Sequence, residues 1–132
     1  MSTRILIVED NPANLKLVTD VLEFEGHGIL KAADATEAQV ILSATLPHLI
    51  LMDLALPGMD GLTLTRKIKA EARTCQIPIV ALTAFAMKGD ARKALNAGCA
   101  GYITKPIDTR KFPAQVATFL ATPPTASGSS TW

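Results

Sequence analysis

The chain has 132 residues, 48% of them hydrophobic, which is the size and apolar content of one ordinary globular domain with room for a buried core. Thirteen Lys and Arg against twelve Asp and Glu leave a formal net charge of +1, and no run of one sign is long enough to address nucleic acid or an anionic membrane. The apolar run that follows Arg4 stops at Glu9, too soon for a signal peptide or a membrane span, so a soluble cytoplasmic protein without membrane or direct nucleic-acid binding is expected.

In chain order, "RILIV" (Arg4–Val8) reads as a buried strand that ends directly in two acids, Glu9 and Asp10. Asn11 is placed to cap a helix whose first residue is Pro12 and whose apolar face is Leu15, Val18 and Leu22, ended by Gly26. A weaker run, Gly28–Ala32, precedes a second helix marked by Ala38, Ile41 and Leu42. "LILM" (Leu49–Met52) is a third strand, followed by Asp53, a Pro57-Gly58 turn and a helix on Leu64 and Ile68 that Asp60 is placed to cap. "IPIVAL" (Ile77–Leu82) is a fourth strand, with a helix on Ala91, Ala94 and Leu95 that Gly98 ends. "GYIT" (Gly101–Thr104) is the fifth, and Phe112, Val116, Phe119 and Leu120 mark the last helix. Residues 122–132 are rich in Pro, Ser, Thr and Gly without period, so the division expected is one domain over 1–121 and a flexible tail. Cys75 and Cys99 belong to no CxxC or His cluster and are expected to be free thiols.

Strands that are apolar along their whole length, each followed by a helix, predict an α/β fold: a (βα)5 doubly wound parallel sheet of five strands, order 2-1-3-4-5, flavodoxin-like. Ligands of such sheets bind beyond the carboxyl ends of the strands. The polar residues there are Glu9 and Asp10, Asp53, Thr83, and Lys105 followed by Pro106. Singly each has an ordinary explanation: a cap, a turn, a solvated lysine. Together at one rim they form a carboxylate cluster that needs compensation by a hard divalent cation, by Lys105, or by both. His27 and His48 fall at the opposite, amino end of the sheet and are not candidates.

"ILIVEDN", "LILMDLALPGMDG", "IPIVALTA" and "GYITKPI" resemble the receiver domain of two-component response regulators, from Arg4 to Leu120. The resemblance implies that Asp53 accepts a phosphoryl group from a phosphohistidine on a sensor histidine kinase or a histidine phosphotransfer protein. It implies Mg2+ (or Mn2+) bound by Asp10, Asp53 and the backbone carbonyl of Ala55, with Glu9 acting through a water. Thr83 would hydrogen-bond the phosphoryl oxygen and Lys105 would pair with it. Tyr102 matches the switch aromatic, and Lys105-Pro106 a cis peptide. The family is one of signalling proteins and not of turnover enzymes.

The rivals fit less well. A flavin binder needs hydroxyls and amides after the first strand, where "EDNPAN" presents acids; a dehalogenase-type phosphatase needs a second Asp where Ala55 stands; the GxxxxGK[ST] loop of nucleotide enzymes is absent. The remaining alternatives are a receiver module of a hybrid histidine kinase, against which the start "MSTR" counts, and a phosphorylation-independent interaction module. Output is expected through contact of the face built from the fourth helix, fifth strand and fifth helix (Met87 to Asn96, Tyr102, Lys111 to Phe119) with a downstream protein the sequence does not name, or through a phosphorylation-linked dimer.

Overall fold

A computed structural model describes residues 3–56, 58–84 and 89–121. Pro57 of the expected turn, Met87 of the expected output face and residues 122–132 lie outside the described residues. The elements alternate in order: β1 (Arg4–Val8), α1 (Pro12–Phe24), β2 (Gly28–Ala32), α2 (Ala35–Ala44), β3 (Leu49–Asp53), α3 (Gly61–Ala70), β4 (Ile79–Thr83), α4 (Asp90–Ala97), β5 (Gly101–Thr104) and α5 (Phe112–Leu120). The strands form one parallel sheet of order β2-β1-β3-β4-β5, as expected.

Because side chains alternate across a strand, the central strands β1, β3 and β4 each feed two cores. Leu6, Val8, Ile50, Met52, Ile79 and Ala81 pack under Ala38 and Leu42 of α2, Leu64 and Ile68 of α3 and Ala94 of α4. Ile5, Ile7, Leu49, Leu51, Val80, Leu82 and Ile103 pack under Val18 and Leu22 of α1 and Phe112 and Val116 of α5. Residues of both parities are therefore buried, which is why the strands read as continuous apolar runs.

The helix starts follow side-chain chemistry. Asn11 accepts from Ala13 N (2.9 Å) and Asn14 N (3.1 Å) ahead of Pro12. Asp60 accepts from Thr63 N at 2.8 Å, the cap expected for α3. Asp34 accepts from Glu37 N while the Glu37 carboxylate reaches back to Ala33 N, a variant of the capping box. Gly98 ends α4 with φ +114°, in the left-handed region that glycine enters without cost.

Three boundaries and one face differ from expectation. The fourth strand begins at Ile79, not Ile77: Pro78 has no N–H to give a ladder, and Ile77 N turns back to Thr74 O. The third and fourth strands run one residue further, through Asp53 and Thr83. Leu95, read as part of an apolar face, is 50% exposed; the buried positions of α4 are Ala94 and Ala97, and Leu95 lies one residue, about 100° around the helix, from Ala94.

Candidate functional site at the carboxyl rim

The rim follows from register. Val8 pairs with Met52, so Glu9 and Asp53 stand side by side one step further on, on the pleat face shared by Ile7, Leu51, Leu82 and Ile103. Lys105, two residues beyond Ile103, has the same parity. Backbone bonds prolong the sheet to this level: Glu9 N donates to Ala32 O (2.9 Å), Leu54 N to Leu82 O (3.2 Å) and Lys105 N to Thr83 O (2.8 Å). The result is one cation against two buried acids. Lys105 Nζ lies 3.0 Å from Glu9 Oε1 and 3.2 Å from Asp53 Oδ1. The approach to Glu9 Oε1 is an ion pair without the alignment of a hydrogen bond.

Backbone donors complete the frame. Ala55 N donates to Asp53 Oδ1 at 3.0 Å and Asn11 N to Glu9 Oε2 at 3.2 Å. Gly61 is required by this loop, because a Cβ there would meet the Asp53 carbonyl oxygen and lie 2.9 Å from Leu54 Cα. The Lys105-Pro106 peptide is cis.

The electrostatics separate the two acids. Burial pushes the Glu9 carboxyl up to about 7, with Asp53 adding to the rise and Lys105 and the Asn11 N–H opposing it. Burial would raise Asp53 too, but its hydrogen bonding with Glu9, the Ala55 N–H and the charge of Lys105 outweigh that and hold it below the usual carboxylate range. A proton shared by the pair therefore favours Glu9, and Asp53 keeps its charge. Lys105 is raised: burial works against its charge, and the pairing with Glu9 and Asp53 more than offsets it.

Asp10 is exposed, yet carboxylate oxygens of Glu9, Asp10 and Asp53 all lie within 4.8 Å of one another. That donor set suits a hard cation, which takes oxygen ligands and keeps several waters. Thr83, at the end of β4, has the opposite parity and faces α4; its Oγ1 donates to Asp90 Oδ2 at 3.0 Å. A cleft of about 260 Å3 joins Asp53, Ala55, Thr83, Asp90, Lys93 and Lys105. Tyr102 stands apart on β5, 41% exposed. His48, at the amino end, accepts from Arg4 N through Nδ1 and carries no link to this rim. Cys75 and Cys99 are free thiols.

Two features went unread in the sequence. Glu9 is the inner acid at 1% exposure and Asp10 the outer one; the parity of Ile5, Ile7 and Glu9 carried a signal for this, but only together with the register of β3. Asp90 carried none, since an acid in the first turn of a helix is ordinary.

Residues 5–117 match the response regulator receiver domain family. The polar-differentiation response regulator DivK of Brucella ovis is 38% identical over 120 residues, 91% of this chain and 98% of that protein. Among solved structures, the receiver domain of the sensor histidine kinase PA1611 from Pseudomonas aeruginosa, with a magnesium ion coordinated in its active site cleft, is 33% identical with a TM-score of 0.85 over 92% of this chain and 100% of that one. A CheY-like receiver domain protein from Methanospirillum hungatei is 32% identical with a TM-score of 0.83, over 91% and 94% of the two chains. With its fold, its rim of acids and these relatives in agreement, the chain belongs to the response regulator receiver domain family.

Proposed function

We propose that this receiver domain takes a phosphoryl group on Asp53 from a phosphohistidine of a sensor histidine kinase or a histidine phosphotransfer protein. The observation that carries this is the pleat-face triple of Glu9, Asp53 and Lys105, in which Asp53 is the acid that is both charged and open to the cleft. In the step, an Asp53 carboxylate oxygen forms a bond to phosphorus as the phosphorus–nitrogen bond breaks and the imidazole leaves. Attack of a carboxylate on an anionic group is opposed by charge, so positioning and neutralisation do most of the work. Lys105 supplies a positive charge, the Ala55 N–H holds the carboxylate plane, and Thr83 is the hydroxyl donor nearest the cleft.

The carboxylates of Asp10 and Asp53, the carbonyl of Ala55 and, through a water, Glu9 would hold Mg2+ or Mn2+. When bound, such an ion neutralises charge on the transferring phosphoryl oxygens. The chemistry is one of modification and slow reversal, not substrate turnover.

Output is through the α4–β5–α5 face, where Leu95 and Tyr102 are already exposed, toward a protein partner or a second copy. The domain spans 1–121, with 122–132 as a tail and the cytoplasm as its compartment; among the described residues no helix is long and apolar enough to cross a membrane. The DivK relative supports the reading as a response regulator, and the PA1611 relative keeps a hybrid-kinase module as a second reading.

The test is labelling with acetyl phosphate and Mg2+, followed by mass spectrometry. The wild type should gain one phosphoryl group and Asp53→Asn none. Equal labelling of Asp53→Asn would move the acceptor elsewhere, and an unlabelled wild type would favour a phosphorylation-independent module.

A further inference from the structure

The bond from Thr83 Oγ1 to Asp90 Oδ2, 3.0 Å long, ties the last residue of β4 to the first turn of α4. Both residues line the cleft that Asp53 opens into. A threonine hydroxyl has a single proton to donate, and an ionised carboxylate can only accept. While Thr83 gives its proton to Asp90, it cannot give it to an oxygen of a group on Asp53. The two acceptors lie in different elements, so the choice between them is also a choice about where the first turn of α4 is held.

We propose that Asp90 is a positioning residue of the switch: it holds the Thr83 hydroxyl on the α4 side of the rim, and phosphorylation of Asp53 takes that hydroxyl away and releases the first turn of α4. This rests on the reading of Asp53 as phosphoacceptor and Thr83 as donor to its phosphoryl group. The physical content is a competition. A bond that exists only before phosphorylation stabilises that state, and any ligand that needs the hydroxyl must first break it. The charge of Asp90 adds to the effect, because a carboxylate on the cleft wall is repelled by a phosphoryl group arriving there. Release is thereby coupled to α4, whose outer side carries the exposed Leu95 of the output face.

The experiment measures the affinity of beryllium fluoride, a phosphoryl stand-in, in the presence of Mg2+, for wild type, Asp90→Ala, Asp90→Asn, Thr83→Ala and Asp90→Ala with Thr83→Ala. Losing a competing hydrogen bond to a charged group should tighten binding roughly ten- to a hundredfold in Asp90→Ala. Asp90→Asn, whose amide oxygen still accepts, should gain less. In the Thr83→Ala background the gain should shrink to the part due to the Asp90 charge, about twofold, since additivity fails only where the two residues act on each other. A general loosening of α4 would not distinguish the two backgrounds. Unchanged or weaker binding by Asp90→Ala overturns the proposal, as does an equal gain with Thr83 absent, which would leave charge alone as the cause. Should Asp90→Ala not fold, Asp90→Asn carries the same comparison in both backgrounds. If Asp53→Asn binds beryllium fluoride as well as wild type does, the phosphoacceptor reading falls and the switch role with it, an outcome distinct from a failure at Asp90.

Discussion

Glu9 and Asp53 stand side by side on adjacent parallel strands, one step past the Val8–Met52 pair, and a single ammonium, Lys105, lies within 3.2 Å of an oxygen of each. Two acids and one cation in a largely buried site leave one negative charge in excess. A proton on Glu9 meets that excess, and a bound metal ion would meet it in the proton's place.

In EDTA, stability should fall as pH rises from 4.5 to about 7. Glu9 has an ordinary value of 4.5 and a folded value of about 7, so the folded state binds more protons in that window and loses its advantage as they leave. The contribution is full below 4.5 and declines by at most about 3 kcal/mol. Asp53, held below its usual range, acts in the opposite sense and only in more acidic solution, where stability falls as pH drops through its folded value. Urea melts at a series of pH values would show the decline, and Asp53→Asn should flatten it because the acid that raises Glu9 is gone. For the same reason Asp53→Asn should stabilise the metal-free protein above pH 7, where both acids would otherwise be charged. A pH profile identical in wild type and Asp53→Asn would refute the coupling.

Lys105→Met should destabilise the metal-free protein by about 2–3 kcal/mol, since it leaves two buried acids without their cation. Excess Mg2+ should restore part of the loss by supplying positive charge at the same acids. Denaturant midpoints with and without Mg2+ measure both effects.

Thr83→Ala should remain phosphorylatable, because the proposed acceptor is Asp53 and not the hydroxyl, while losing its signal to the output face. Amide shifts of Arg92, Tyr102 and Val116 on phosphorylation are the readout. Shifts of wild-type size in the mutant would remove Thr83 from the mechanism.

Gly61→Ala should cost more than about 2 kcal/mol, because the added Cβ meets backbone of Asp53 and Leu54, which cannot yield as a side-chain tip does. It should also slow labelling, since the loop that aims the Ala55 N–H at Asp53 would have to shift. Calorimetry and acetyl phosphate labelling report the two.

The phosphorylated state should be long-lived. Ala55 is exposed beside Asp53 and its methyl offers no hydrogen bond to orient a water in line with phosphorus. Ala55→Asn should speed the decay of purified phosphoprotein several-fold; rapid decay of the wild type, unaltered by that change, would count against the idea.

The sequence by itself determined the layer architecture, since continuous apolar runs separated by helical periods suit only a parallel sheet covered on both faces. It also placed Glu9, Asp10, Asp53, Thr83 and Lys105 at one rim, because strand ends are local features, and it marked Asn11, Pro12 and Asp60 as helix starts, because capping is made within a few residues. The tertiary structure decided which acid is inner and which outer, as Glu9 and Asp10 differ only in parity and parity acquires meaning through the register of β1 on β3. It decided that Thr83 meets Asp90, a carboxylate on the next helix whose distance depends on how α4 lies on the sheet. It left Leu95 exposed because two alanines, not the leucine, fit the close approach of a short helix. Periodicity describes how one segment is phased about its own axis; register and packing angle are set by another segment far along the chain, through contacts that only the closed core creates.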